Sequence, residues 1–215
     1  MNRRHFVLAA AASTVVLLVA GTLAYQSRVK STVTSPAPVA DSALMRSYSP
    51  VLGPTDAPVT IVEFFDPACE ACRAFHPIVS QIKAKYPNKV RVVLRYTPLH
   101  RPSKTAIAIL EAARLQGVFE PVLEALYNAQ DRWAPHGGVP QDPWDFLGNT
   151  GLDIPRARQD VKSPEISFVI KQDAADVAEM GVRQTPTFFV NGKPLPKFGA
   201  RELQDLVRRE VEALN

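Results

Sequence analysis

The chain carries two cysteines, Cys69 and Cys72, separated by Glu70 and Ala71, and no third thiol with which either could bridge. A strand-like run over residues 59–65 leads into the pair, and a helix-like run over 71–86 leads out. This spacing puts Cys69 at the mouth of a helix, where unpaired backbone N–H groups and the helix dipole stabilise a thiolate. A Cys-x-x-Cys pair placed this way is a dithiol/disulfide redox switch. A local staple or half of a zinc site is the plainer alternative, but the loop is too short to constrain the unfolded chain much. Glu63 interrupts the apolar strand six residues before Cys69. If it points inward, an unpaired carboxylate there must hold its proton to higher pH. If it points outward, it is an ordinary solvent-facing charge.

The elements that must position these residues are legible from periodicity. Residues 59–65 are apolar almost throughout, as in a central strand buried on both faces. The helix after Cys72 carries Phe75, Ile78, Val79 and Ile82 at helical spacing, with a kink expected at Pro77. Residues 89–96 form a second strand, completing a right-handed β-α-β unit with parallel strands. Helices follow from Pro102 to about Gly117 and along the stripe Phe119, Val122, Leu123, Leu126 and Tyr127. Residues 133–143 read as a loop. Ser163-Pro164-Glu165 supplies a cap, a first-turn proline and an acid for a helix running to about Met180, with Ile166, Val169, Ile170, Ala174 and Val177 inward. Residues 187–190 and 193–198 form a hairpin around Asn191-Gly192. Leu203, Leu206, Val207 and Val211 stripe a final helix. The fold class is α/β with an inserted helical subdomain.

Ahead of this lie segments of different character. Arg3 and Arg4 precede an apolar stretch over residues 6–25, roughly 20 residues and long enough to cross a bilayer once. It also has the parts of a secretory signal peptide, so residues 1–30 are either a cleaved signal or an anchor in the inner membrane. Both place the remainder outside the cytoplasm, in the periplasm or an equivalent space. Residues 31–49, poor in bulky apolar side chains, read as a flexible tether, and residues 50–215 as one domain. Without Arg3 and Arg4, 23 basic residues face 21 acidic ones, and the net charge drops from +4 to +2. No basic cluster interleaved with aromatics is present, which gives nucleic-acid binding no support.

In order and spacing, Glu63, Cys69-Glu70-Ala71-Cys72, Pro77 and Gly181-Val182-Arg183-Gln184-Thr185-Pro186-Thr187 resemble the thioredoxin-fold disulfide oxidoreductases, in particular their DsbA-like branch. The resemblance implies a thioredoxin core over 50–100 and 181–215, with a helical insertion over 101–180. Cys69 would be the outward-facing nucleophile and Cys72 the more buried resolving thiol. Glu63 would be the proton acceptor for Cys72. Pro186 would follow a cis peptide bond, setting the Thr185 backbone beside the sulfurs to pair with an extended substrate segment. A plain turn proline is the alternative. Glu70 and Ala71 would also face the substrate. They replace the Pro-His of DsbA, and a carboxylate beside Cys69 should make its thiol less acidic than in DsbA. His76 and His100 carry weak signals: His76, a turn beyond Cys72, lines the site or sits at the surface. Trp133 and Trp144 pack the helical subdomain or rim the substrate groove.

These features point to an exported oxidoreductase that exchanges disulfides with cysteine-containing exported proteins. Such chemistry needs no bound cofactor and no metal. The DsbA-like topology favours oxidation, with a membrane redox partner to recharge the pair and the chain acting as a monomer. Glu70 and Thr185 pull instead toward a reductase or isomerase. A thiolate site for copper is a further alternative, since soft sulfur ligands suit Cu(I).

Overall fold

A computed structural model describes residues 42–214. The signal or anchor expected over residues 1–30, and the tether as far as residue 41, lie outside the described residues. Among the described residues no helix is long and apolar enough to cross a membrane.

A five-stranded mixed sheet, in the order β1-β3-β2-β4-β5, forms the centre. Its strands are β1 (Val51–Leu52), β2 (Val59–Phe65), β3 (Val90–Tyr96), β4 (Thr187–Val190) and β5 (Lys193–Pro194). β2 and β3 are parallel, with Val59 opposite Val90 and Phe65 opposite Tyr96, as the β-α-β reading predicts. β4 runs antiparallel to β2 and pairs Glu63 with Phe188. The intervening helix is α1 (Glu70–Lys85), which continues through Pro77. The helical insertion comprises α2 (Ser103–Leu115), α3 (Phe119–Asn128), α4 (Gln130–Trp133), a 3-10 turn (Pro143–Phe146), α5 (Ile154–Asp160) and α6 (Pro164–Glu179). The chain closes with α7 (Ala200–Glu212).

Strand periodicity divides the side chains into two layers. Ile61, Phe65, Val92, Leu94 and Tyr96 face a large core shared with α1, α2, α3 and α7. Val62, Phe64 and Val93 face the opposite way, into a smaller cluster with Val177 and Val182. Glu63 shares its parity with Ile61 and Phe65. It therefore lies on the layer that carries Cys72, and at 5% exposure it is buried, so the solvent-facing alternative is excluded.

Several expectations hold in detail. The Ser163 hydroxyl accepts a hydrogen bond from the Ile166 N–H at 3.2 Å and caps α6. Asn191 and Gly192 both have positive φ, 48° and 78°, as a tight hairpin turn requires. Trp133 is buried, with its indole N–H donating to the Leu126 carbonyl at 2.7 Å, and it packs the insertion.

Other expectations need correction. The hairpin's return strand is only Lys193–Pro194, not residues 193–198, because Pro194 and Pro196 remove two ladder donors. β1, α4 and α5 carry no strong periodic signal, being short. The tether does not extend to residue 49. Residues 42–49 are held on the domain by a buried ionic cluster around Arg95, whose side chain is fully buried. Arg95 donates to Asp173 at 2.8 Å, to Asp176 at 2.5 Å and to the Ala43 carbonyl at 2.6 Å. Arg46 donates twice to Asp176, at 2.8 and 2.6 Å, and the Tyr48 hydroxyl donates to Asp173 at 2.7 Å. Charges removed from water stay ionised only when paired in this way.

Candidate active site

Cys69 is the residue that caps α1, with extended backbone angles (φ −84°, ψ 123°) and its carbonyl accepting the first helical bond from the Arg73 N–H at 3.1 Å. Both cysteines are free thiols. Cys69 is 8% exposed and Cys72, one turn deeper, is fully buried. The outward-facing thiol expected for Cys69 is thus nearly covered. The cover is the 185–186 loop, whose Thr185-Pro186 peptide bond is cis and whose Thr185 carbonyl accepts from the Cys69 thiol at 3.3 Å. Pro186 and Thr185 therefore stand against the sulfur, where an incoming extended chain would find the Thr185 backbone.

The two thiols are pushed in opposite directions. Cys69 is lowered to about 5, chiefly by a hydrogen bond from the Cys72 thiol, against the opposing pull of burial. The Thr185 hydroxyl and the backbone N–H groups of Cys72 and Ala71 add to the lowering. These last are the orphan donors of the first helical turn. Cys72 is raised well above the ordinary thiol range by burial, by its bond to Cys69 and by the charge of Glu63. Nucleophile and buried thiol are thus separated electrostatically, as well as by depth.

The Thr185 hydroxyl is buried with no hydrogen-bond partner in this protonated form. A thiolate at Cys69 is the acceptor that would satisfy it. Thr185→Val should therefore raise the Cys69 pKa by about one unit, equivalent to about 1.4 kcal/mol, read from the pH dependence of alkylation. An unchanged midpoint would show that the hydroxyl contributes nothing to the thiolate.

Glu63 is raised to about 8, first by burial and then by the charge of Cys69. Between the unfolded carboxyl value near 4.5 and the folded value near 8, the native state binds the extra proton, so stability falls as pH rises through this window. Glu63→Gln removes the penalty. Its gain in denaturation midpoint over the parent protein should widen between pH 4 and pH 9, and a constant difference would contradict the buried-acid assignment.

Three side chains at the site carry no clear sequence signal. Asp66 is fully buried and accepts from the Ala68 N–H at 2.8 Å, the Leu99 N–H at 2.9 Å and the His100 N–H at 3.0 Å. Its carboxylate also meets His100 Nδ1 at 2.8 Å, while its own N–H points at the Cys72 sulfur at 3.4 Å. It ties the approach to Cys69 to the loop after β3. An aspartate before Pro67, just past a strand, is an Asx-turn signal that could have found it. Gln130, at the start of α4, donates to the carbonyls of Pro67 at 2.8 Å and Cys69 at 3.1 Å, joining the helical insertion to the cysteine turn. His136 lies 3.1 Å from the Glu70 carboxylate, and both are well exposed. Glu70 thus turns toward the loop after α4, and it is not among the main influences on Cys69. Ala71 lies half-buried in the first turn. Among the described residues, no cluster of three or more potential ligands could hold a metal ion.

The sequence profile of the thioredoxin family matches residues 46–208. The chain belongs to the thioredoxin family. Within it, the fold is that of alpha-DsbA1 from Wolbachia pipientis, at 16% identity and a TM-score of 0.65. The chain is 32% identical to a thioredoxin-like oxidoreductase from Silicibacter pomeroyi, with a TM-score of 0.64, covering 76% of this chain and 92% of that one. Its fold is also that of BdbD from Bacillus subtilis, at 23% identity and a TM-score of 0.65, over 76% and 93% of the two chains. It is 31% identical over 145 residues to the Na(+)/H(+) antiporter NhaA of Herminiimonas arsenicoxydans, covering 67% of this chain. The chain spans about a quarter of the length of the curated relatives it matches, 22% of that one.

Proposed function

We propose that this protein is a thiol–disulfide oxidoreductase that works outside the cytoplasm as a donor of disulfides to cysteine-containing exported proteins. The observation that carries this reading is the Cys69 thiol held at about 5 above a Cys72 thiol raised far beyond it. Stabilising the thiolate stabilises the reduced enzyme, and that makes its disulfide a stronger oxidant.

In the oxidising direction, a substrate thiolate attacks Cys69 Sγ of the enzyme disulfide. The Cys69–Cys72 bond breaks, and Cys72 leaves as a thiolate that takes a proton from the Glu63 carboxyl. A second substrate thiolate then attacks its own mixed-disulfide sulfur, and Cys69 leaves as the stabilised thiolate. The substrate loses two electrons and the enzyme pair gains them; a membrane redox partner would take them up. The Thr185 backbone, the exposed Glu70 and the half-buried Ala71 beside it would hold the substrate chain during the exchange. The apolar stretch over residues 6–25 supports export, with or without retention as an anchor.

The reduction potential of the pair, equilibrated against glutathione, tests the direction. A donor should lie nearer about −120 mV, the range of strong oxidants, than about −270 mV, the range of thioredoxin. A value at the low end would make the protein a reductase.

A further inference from the structure

Accepting the role of Glu63 proposed above raises a question of transport. Glu63 and Cys72 are both buried, so a proton exchanged between them needs a way to bulk water. On the sheet face that carries Glu63 lies a cavity of about 10 Å³, room for about one water molecule. Apolar side chains, among them Phe65, Leu94 and Leu123, form most of its wall. The polar groups that reach it are Glu63, His76, Ser80, Lys83 and Tyr127.

We propose that His76 is the outlet of a proton path that begins at Glu63 and crosses this cavity, and so sets the rate at which Cys72 resolves mixed disulfides. The assignment follows from comparing the polar groups of the wall. Lys83 is engaged with the Glu120 carboxylate at 2.6 Å, and an ammonium has no lone pair to accept a proton. Tyr127 is buried, which holds its phenol protonated. The Ser80 hydroxyl can pass a proton but not store one. His76 is half-buried on α1 with its ring against Tyr127, 5.1 Å between centroids, so it touches both the cavity wall and solvent. Burial lowers its pKa, Lys83 acts in the same direction, and Glu124 and Glu120 oppose them. Neutral imidazole is therefore the form present near pH 7, with a nitrogen free to accept.

The balance of the step is simple. In the ionised form of Glu63, a minor share near pH 7 that grows as pH rises through about 8, Cys72–SH gives its proton to the carboxylate, and the resulting thiolate attacks Cys69 Sγ of the mixed disulfide. The Cys69–Cys72 bond forms, and the partner sulfur leaves as a thiolate with its electron pair. Glu63 then returns to the carboxylate as its proton moves through the cavity to the imidazole and on to water. In the opposite direction the same groups deliver the proton.

An aromatic disulfide whose leaving thiolate is coloured separates the two sulfurs. The reduced protein releases one thiolate when Cys69 attacks and a second when Cys72 resolves. In His76→Gln and His76→Phe, the second phase should slow by about 10-fold near pH 7, a modest share of what a proton-transfer group contributes. The first phase should be unchanged. Added imidazole buffer should restore the second phase in both variants, but not in Glu63→Gln, where the group that hands on the proton is missing. Normal resolution in both folded variants from pH 6 to 9 would overturn the proposal. So would a slowing with an unaltered pH profile and no rescue, which marks lost packing against Tyr127. Failure of the parent protein itself to release the second thiolate would instead overturn the exchange reading on which this inference rests.

Discussion

Replacing Cys72 with serine will convert the protein from a catalyst into a trap. Cys69 keeps its place at the helix end and its donors from Thr185 and the first-turn backbone. A serine hydroxyl can donate in place of the Cys72 thiol, so the Cys69 pKa should stay below that of an ordinary thiol. Attack on a substrate disulfide will still occur, but no thiol one turn deeper remains to complete the exchange. The variant should release about one leaving thiolate instead of two, accumulate mixed disulfides visible on non-reducing gels, and show turnover at background. Cys69→Ser should do neither. If Cys72→Ser turned over like the parent, or Cys69→Ser were the one that trapped substrate, the assigned roles would be reversed.

The second large effect lies away from the sulfurs. Arg95→Leu should destabilise the domain by about 3–5 kcal/mol, because Asp173 would be left buried without a cation and Asp176 with Arg46 alone. Chemical denaturation with linear extrapolation reads this directly. Asp176 also gives the cluster a pH signature. Burial pushes its carboxyl up, but hydrogen bonds from Arg46, Gln172 and Arg95 prevail and hold it at about 2. A folded pKa below the unfolded value near 3.8 contributes stability that is fully present above about pH 4 and lost as pH falls toward 2. Arg95→Leu should make that acid limb shallower, leaving the part that Arg46 and Gln172 hold. A loss below about 1 kcal/mol with the limb unchanged would mean that Arg46, Gln172 and Tyr48, not Arg95, satisfy the two carboxylates.

The same cluster explains where the sequence misleads. Residues 42–49 look like tether by composition, and nothing local reveals that Arg46 and Tyr48 find partners more than a hundred residues away. Arg95, Asp173 and Asp176 likewise look like surface charges until strand and helix are brought together. The outcome differs where the signal is local. The apolar run of β2, the capping serine of α6 and the Asn-Gly turn depend on neighbouring residues, and each forms as its chemistry dictates. Glu63 stands between these cases. Its type and place make it conspicuous, but only the sheet's parity decides which layer it enters. Cys69 and Cys72 are legible because spacing alone fixes their relation to a helix end, whereas Pro186 is singled out only by the resemblance to the thioredoxin-fold oxidoreductases. Asp66 and Gln130, which hold the cysteine turn from the loop after β3 and from the insertion, depend on tertiary contacts.

The most direct test of the whole account is the pH dependence of alkylation of the reduced protein, with each modified cysteine identified by mass. Cys69 should react first, with a midpoint near pH 5, while Cys72 stays protected in the folded state. A Cys69 midpoint near the ordinary thiol value of about 8.5, or faster labelling of Cys72, would contradict it.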